Sequence, residues 1–256
     1  GHFTWFHHCV FCRASEGSSE PYFNNIYGER GYKYEYMSDT TNYFELFGLK
    51  SPYRRFKGNP NLKEIMRGWT GTNPFLTEIV EKTKPSTIIE IGSYLGQSAI
   101  TMAKAIQNLK LTSKILCIDT WLGSPEHWRN DKCNDLKYFE YFENGTSVLF
   151  DQFVINMIIN EVDNIVVPIP NTSKNAFYIL QWKNVTADLI YIDGSHETQD
   201  VFEDIVLYSQ ILKPGGTLFG DDWTWKSVRS GVEMASLKLN GEIETHHNQF
   251  WKITFI

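Results

Sequence analysis

Residues 87–98 read TIIEIGSYLGQS, a β-branched run that passes through two glycines into a helical pattern. The run has the length and apolar character of a strand buried on both faces, as in a parallel sheet. Gly92 lets the backbone turn tightly at the strand end, and Gly96 lets the following helix approach a ligand closely. The stretch therefore predicts the first strand, turn and helix of an α/β protein.

Strands and helices alternate through the rest of the chain. Further strands are predicted at 114–119 and 164–169, and two more apolar runs end at Asp193 and Asp221. Each is followed by a helical pattern, with residues 120–163 predicted as a loop with helical patches. The last two strands, 242–245 and 250–256, are so close that they can only pair antiparallel. The sequence predicts a doubly wound, Rossmann-like α/β fold whose seven-stranded sheet is mainly parallel with a C-terminal antiparallel hairpin.

The first quarter of the chain has a different character. Residues 1–67 are rich in Tyr, Phe, Gly, Ser and Asn with weak periodicity, so they are predicted as an irregular, aromatic-rich N-terminal extension. A short helix is expected at 62–66. Residues 68–256 are predicted to form the main domain, which opens on a helix that has Pro74 in its first turn.

Bulk properties limit the partners of the protein. A net charge of −6 and a pI near 5.7 argue against a binder of duplex nucleic acid, which usually carries a basic face. No apolar stretch approaches the ~20 residues that cross a bilayer, so no membrane partner is expected. The four cysteines are too few for a disulfide scaffold, which favours the cytoplasm. The expected partner is a small molecule, and a homo-oligomer stays open.

Acidic residues close two of the predicted strands. Asp193 ends one strand and is followed by His196, while Asp221 and Asp222 end another. Ligands of open α/β sheets bind outside the carboxyl ends of the strands. If the two strands are neighbours, three carboxylates and an imidazole converge in one crevice, which predicts a reaction site and a metal site.

The motif of residues 90–98, E-x-G-x-x-x-G-x-S, resembles the first motif of class I S-adenosylmethionine (SAM)-dependent methyltransferases. It departs from the dinucleotide fingerprint G-x-G-x-x-G because Tyr94 replaces the second glycine. Residues 120–128 resemble a loop of the bacterial and phage branch of the superfamily. The segments that end the last two parallel strands, 192–196 and 213–222, strengthen the resemblance, which covers residues 68–256.

The resemblance implies SAM as the cofactor and assigns roles to several residues. Glu90 would meet the amino group of the cofactor, and Asp119 would bind both ribose hydroxyls. Trp121 would cover the adenine or the sugar, and residues 171–173 would contact the adenine. The expected cofactor-binding residues are Glu90, Gly92, Ser93, Tyr94, Gly96, Ser98, Asp119, Thr120, Trp121, Thr172, Ser173 and Asp193.

The acidic residues resemble the metal site of catechol O-methyltransferases and of metal-dependent sugar O-methyltransferases. By this resemblance Asp193, Asp221 and Asp222 hold a divalent cation, and their oxygens suit Mg²⁺ or Ca²⁺. His196 stands where the catechol enzymes have their general base, so His196 and Asp193 are the expected catalytic residues. The implied reaction is metal-assisted O-methylation of a small hydroxylated molecule such as a sugar.

Other interpretations of these residues stay open. In one of them no metal binds: Asp193 only orients the cofactor, Asp221 caps the following helix, and His196 caps a helix or packs in the core. A metal-independent N-methyltransferase on the same fold fits the sequence, as does a cofactor-binding module without catalysis. A nicotinamide oxidoreductase is disfavoured by Tyr94.

Overall fold

The structure is a computed structural model that describes residues 44, 47–68, 70–124, 142, 143 and 145–255. The helices are α1 (Pro74–Thr83), α2 (Gln97–Asn108), α3 (Leu149–Ile159), α4 (Ser173–Trp182), α5 (Thr198–Tyr208) and α6 (Lys226–Leu239). The strands are β1 (Thr87–Ile91), β2 (Lys114–Asp119), β3 (Phe142–Glu143), β4 (Thr146–Ser147), β5 (Val166–Pro170), β6 (Ala187–Ile192), β7 (Leu212–Gly220), β8 (Gly241–His246) and β9 (Phe250–Phe255). Short 3-10 helices cover Pro52–Arg55 and Ser209–Ile211.

Seven strands form one sheet in the order β5-β2-β1-β6-β7-β9-β8. The pairs from β5 to β7 are parallel, whereas β9 runs antiparallel to both β7 and β8. The chain starts in the middle at β1, winds outward to β5 and then returns to β6, which sends the crossover helices to opposite faces because such connections are right-handed. The predicted doubly wound sheet with its C-terminal antiparallel hairpin is confirmed.

Burial explains why the central strands form. All residues of β1 are buried, and β2 and β6 are buried along most of their length. Such uniformly apolar strands are typical of a parallel sheet covered on both faces. The outer strand β5 contains Pro168 and Pro170, which an edge strand accepts because one row of its N–H groups has no neighbouring strand to bond.

Local signals set the limits of α1. The side chain of Asn73 accepts a hydrogen bond from the backbone nitrogen of Phe75 at 3.0 Å, and Pro74 occupies the first helical position. Both features favour a helix start. Lys84 ends the helix in the left-handed conformation. The apolar side chains Phe75, Leu76, Ile79 and Val80 are buried, which anchors the helix to the sheet.

Some expectations about secondary structure were wrong. Residues 62–66 do not form a helix. The region 120–163, predicted as a loop with helical patches, contains the complete helix α3 and the short β3–β4 hairpin. Apolar residues lie on nearly every face of α3, which hides the helical period. Residues 213–216 include Pro214 and two glycines, a composition typical of a turn, but they belong to β7, where the pairing register with β6 shifts.

Part of the predicted N-terminal extension packs onto the sheet. The hydroxyl of the buried Tyr53 donates to the carbonyl oxygen of Val166 at 2.8 Å, and Arg55 forms an ion pair with Asp151 at 2.7 Å. Residues 1–43 lie outside the described residues, so the division of the chain at residue 67 stays a prediction. Within the described part of the chain, no helix has the length and apolar character needed to span a membrane.

Candidate active site

The crevice at the carboxyl ends of the strands opens between β1 and β6, where the winding direction reverses. Gly92, directly after β1, has φ of +86°. A Cβ at this position would collide with the carbonyl oxygen of Asp193, directly after β6. The backbone nitrogen of Asp193 donates to Ile91 at 2.8 Å. Only glycine fits so close an approach in this conformation, and such a switch point is where open α/β sheets bind ligands.

Glu90 lies beneath the turn and is fully buried. Its carboxylate accepts hydrogen bonds from the hydroxyls of Ser93 and Ser98, each at 2.6 Å, and from the thiol of Cys117 at 3.3 Å. Burial raises the pKa of Glu90 because the charged form loses its solvation. Glu90 therefore fixes the glycine turn from below, and its contact with a cofactor amino group stays a prediction.

Asp119 ends β2 beside this turn. Its two carboxylate oxygens accept the backbone N–H groups of Tyr94 at 2.8 Å and of Trp121 at 2.7 Å. Tyr94 and Trp121 both have positive φ, 44° and 51°, a strained conformation for large side chains. The two hydrogen bonds hold the carboxylate beside the turn, at the carboxyl end of β2. The arrangement fits the expected cofactor role, which stays a prediction.

Trp121 is buried in the core. Its ring packs on Phe150 and Phe153 at centroid distances of 4.9 Å, and its indole N–H donates to the carbonyl of Tyr94 at 2.7 Å. Gly96 contributes to the same packing, because a Cβ there would collide with Met157. Both residues thus pack the turn after β1 against α3, and the contact of Trp121 with the cofactor stays a prediction.

The remaining predicted cofactor residues lie at the ends of β2 and β5. The hydroxyl of Thr172 caps α4 by accepting the N–H of Asn175 at 3.2 Å, and Ser173 is the first residue of that helix. Thr120 accepts the N–H of Leu122 at 3.2 Å. Because β2 and β5 are parallel neighbours, these hydroxyl-bearing residues lie at the same edge of the sheet, and their contact with the cofactor stays a prediction.

Asp193, His196 and Asp222 converge beyond β6 and β7. Each offers one ligand atom, and these atoms all lie within 4.8 Å of one another. The Nε2 atom of His196 is 2.8 Å from a carboxylate oxygen of Asp222, and the imidazole lies against the ring of Trp225 at 4.5 Å. Burial raises the pKa of Asp193 well above its usual range, with repulsion from Asp221 and Asp222 adding to the effect. This crowding of acidic groups fits a site for a cation.

Asp221 has different surroundings from the other two aspartates. It is buried, and its carboxylate accepts hydrogen bonds from the side chains of Thr70 and Gln249 and from the N–H of Asp222. Its pKa is raised mainly by burial. The structure therefore brings His196 into the group of ligand atoms with Asp193 and Asp222, while Asp221 is engaged by protein donors. Binding of a cation by Asp221 stays a prediction.

The sequence analysis missed several residues of this site. Thr70 and Gln249 bind Asp221, Trp225 contacts His196, and the hydroxyl of Tyr191 donates to Asp193 at 3.0 Å. Tyr191 could have been found, because it stands two residues before Asp193 and so faces the same side of the strand. The hairpin turn that carries Gln249 was predicted, but only the pairing of β9 with β7 brings that turn to Asp221.

Comparison with known proteins places this geometry in a family. Residues 89–223, just over half of the chain, match the model of the methyltransferase domain. The chain belongs to this family. This result confirms the resemblance to class I SAM-dependent methyltransferases, and the matched segment of the methyltransferase runs from β1 to the residue after Asp222.

Solved structures share the fold of this methyltransferase. An O-methyltransferase from Bacillus cereus in complex with SAH has a TM-score of 0.52 at 15% identity, and the alignment covers 86% of this chain and 98% of that one. The O-methyltransferase TomG from Streptomyces achromogenes, involved in tomaymycin synthesis and in complex with SAM, has a TM-score of 0.51 at 14% identity, with 80% and 86% covered. No curated protein matches the chain.

Proposed function

We propose that this methyltransferase transfers the methyl group of SAM to a hydroxyl of a small molecule, such as a sugar, with the help of a divalent cation. The observation that carries the proposal is the convergence of Asp193, His196 and Asp222 next to the crevice formed by Gly92 and Asp119. The named activities of the Bacillus and Streptomyces proteins support O-methylation, and the part of TomG in tomaymycin synthesis supports a small acceptor.

The cofactor would lie across the carboxyl ends of β1 and β2. Asp119 is held rigidly by the N–H groups of Tyr94 and Trp121, so it would reach the ribose hydroxyls without losing side-chain freedom on binding. Gly92 permits the close approach of the β1 turn to the end of β6. The turn fixed by Glu90 then sets the position of the cofactor relative to Asp193.

Asp193 and Asp222 would hold the cation. Mg²⁺ is usually bound through one or two carboxylates while it keeps several waters, and two aspartates meet this need. When bound, the cation would lower the pKa of an acceptor hydroxyl. The two carboxylates would fix the cation at the end of β6 and β7, and the crowding that raises the pKa of Asp193 would be relieved.

His196 would serve as the general base. The contact of Nε2 with the carboxylate of Asp222 at 2.8 Å would orient the imidazole and increase its basicity. A base oriented in this way removes the proton of the acceptor as the methyl group is transferred. The same Asp222 would thus connect the cation and the base.

A binding experiment tests the cation directly. Mn²⁺ binding, followed by electron paramagnetic resonance, should weaken by at least about tenfold in Asp193→Asn and Asp222→Asn, since both remove a charged ligand. Asp163→Asn, which changes a surface ion pair with Lys57, is the matched control and should bind Mn²⁺ like the wild type. Calorimetry with SAH should give similar affinities for Asp222→Asn and the wild type, because the Asp119 side of the crevice is unchanged.

Turnover tests the reaction class. Radiolabelled SAM is supplied with a panel of catechols, sugars and amines, with and without EDTA. Methylation of a hydroxyl that EDTA abolishes and Mg²⁺ restores is the expected result. His196→Gln should lower kcat about 10²–10⁴-fold with Mn²⁺ affinity retained. Full turnover of an amine in EDTA would instead establish the metal-independent N-methyltransferase, and SAH binding without turnover of any panel member would favour the non-catalytic module.

A further inference from the structure

The carboxylate of Asp221 is bound by donors from separate parts of the chain. The hydroxyl of Thr70, in the loop before α1, donates to Oδ2. The side-chain amide of Gln249, in the turn between β8 and β9, donates to Oδ1. The N–H of Asp222 also donates to Oδ1, at 2.6 Å, and the hydroxyl of Tyr191 lies 3.4 Å from Oδ2.

These donors occupy most of the acceptor capacity of Asp221. An ionised carboxylate has about four acceptor positions, two on each oxygen. Thr70, Gln249 and the N–H of Asp222 fill three of them, and the hydroxyl of Tyr191, whose single proton goes to Asp193, lies 3.4 Å from Oδ2. A cation that approached Asp221 would compete with the hydrogen bonds of Thr70 and Gln249, whereas Asp193 and Asp222 can receive a cation without breaking any contact to these two residues.

The same turn also fixes the backbone around Asp222. The N–H of Trp223 donates to the carbonyl of Gln249 at 2.9 Å, and the indole of Trp251 donates to the carbonyl of Asp221, also at 2.9 Å. Asp222 has φ of +59°, a left-handed conformation that must be held by its surroundings. The direction of the Asp222 carboxylate toward His196 therefore depends on how residues 221–223 are held.

We propose that Thr70 and Gln249 are positioning residues: together they clamp Asp221, which orients Asp222 toward His196 and does not itself bind the cation. The inference rests on the proposed function for the cation, and it adds the roles of Thr70, Gln249 and Asp221. It also makes the loop before α1 and the C-terminal hairpin turn part of the methyl-transfer site.

Matched variants separate the effect of the hydrogen bonds to Asp221 from the effect of side-chain size. Thr70→Val keeps the shape of the side chain and removes the hydroxyl, whereas Thr70→Ser keeps the hydroxyl. Mn²⁺ affinity should fall about tenfold in Thr70→Val and in Gln249→Met, the usual loss when a group that orients a metal ligand is removed. Thr70→Ser should restore wild-type affinity. Equal affinities in Thr70→Val, Gln249→Met and the wild type would overturn the proposal.

The hydration of bound Mn²⁺ distinguishes a ligand from a positioning residue. Water-proton relaxation counts the waters on the metal, and Asp222→Ala should gain one because a protein ligand is lost. Asp221→Ala should show the wild-type number despite weaker binding. A water gained in Asp221→Ala would show that Asp221 is a ligand of the metal, which would contradict the proposal that it only orients Asp222. Asp221→Asn serves as the second variant if the alanine protein does not fold.

If the wild type binds no Mn²⁺, the cation of the proposed function is refuted. The roles of Thr70 and Gln249 can then still be tested by a measurement that needs no metal. The imidazole ¹⁵N resonances of His196 report its contact with Asp222. They should shift in Thr70→Val and Gln249→Met and return to the wild-type position in Thr70→Ser. Unshifted resonances in both of the first two variants would refute the clamp independently of any cation.

Discussion

The carboxylate of Asp119 accepts the backbone N–H of Tyr94 at 2.8 Å, which joins the end of β2 to the glycine turn after β1. The residue thus has a structural contact in addition to its proposed contact with the ribose. Asp119→Ala should weaken SAH binding by about 1.5–3 kcal/mol, the range for hydrogen bonds to charged groups. Isothermal calorimetry at neutral pH measures the loss.

Controls for this variant address folding and cofactor class. Asp151→Ala removes an aspartate from the partly exposed ion pair with Arg55 and should leave SAH binding unchanged. NAD should not bind the wild type, because Tyr94 takes the place of the glycine that a pyrophosphate needs. Tight NAD binding together with no response to SAH would contradict the proposed cofactor.

Gly92 should tolerate no side chain. Gly92→Ala would place a Cβ against the carbonyl of Asp193 in a backbone conformation with φ of +86°. Overpacking costs about 1–3 kcal/mol and the left-handed conformation adds about 1–2 kcal/mol, so a loss of several kcal/mol in the free energy of unfolding is expected. Urea unfolding measures it.

Gly58 offers a matched control for the packing contribution. Its φ of +85° is nearly the same, but a Cβ there meets nothing within 4 Å. Gly58→Ala should therefore lose only the conformational part, about 1–2 kcal/mol. Similar losses in the two variants would show that the contact between the β1 turn and Asp193 is looser than the structure has it.

The fold was predictable from the sequence because its signals are local. The strand β1 is a β-branched run closed by Gly92, and α1 begins with a capping Asn73 followed by a proline. Such features need no knowledge of distant contacts. The helix α3 was missed because its amphipathic period is hidden by apolar residues on nearly every face, so its boundaries depend on packing against Trp121 and Gly96.

The site was only partly predictable. Asp193, His196 and Asp222 follow the ends of β6 and β7, and they lie close together as predicted because these two strands are neighbours. The engagement of Asp221 by Thr70 and Gln249 could not be predicted, because these residues lie 151 and 28 positions away in the chain. Only tertiary structure decides which of two adjacent carboxylates faces protein donors and which faces the crevice.

Asn156 should contribute strongly to stability from inside α3. Its amide donates to the carbonyls of Ile65 at 2.8 Å and Leu95 at 2.9 Å, and its oxygen accepts the N–H of Ile65 at 3.2 Å. Asn156→Leu keeps the volume but leaves these backbone groups unsatisfied, at about 1–3 kcal/mol for each buried group. Chemical unfolding should show a loss of at least about 2 kcal/mol.

The neighbouring Asn160 provides the comparison for Asn156. It lies one turn later, and its amide donates to Glu64 at 2.6 Å near the surface. Because water can replace that partner, Asn160→Ala should lose about 1 kcal/mol or less. An equal effect at both positions would mean that the segment around Ile65 does not depend on the buried amide.

Asp204 should make the stability of the protein depend on pH near neutrality. This aspartate of α5 is 6% exposed and hydrogen-bonds the side chain of Ser173. Burial raises its pKa to about 7, and the charges of Asp200 and Glu203 add to the shift. In the unfolded chain an aspartate has a pKa of about 3.9, so between pH 4 and about 7 the folded state holds a proton that the unfolded state has lost.

The sign of the pH effect of Asp204 follows from this difference in bound protons. The contribution of the protonated Asp204 is fully present below about pH 4 and is lost as the pH rises through about 7, a change of about 4 kcal/mol at most. Asp204→Asn mimics the protonated form and should flatten this part of the stability curve, so that the variant is the more stable protein at pH 8. Urea unfolding at pH 5, 6, 7 and 8 measures both curves. Asp200→Asn, at an exposed position one turn earlier, removes only one of the charges that add to the shift and should keep most of the wild-type slope. A wild-type slope in Asp204→Asn would show that another group is responsible.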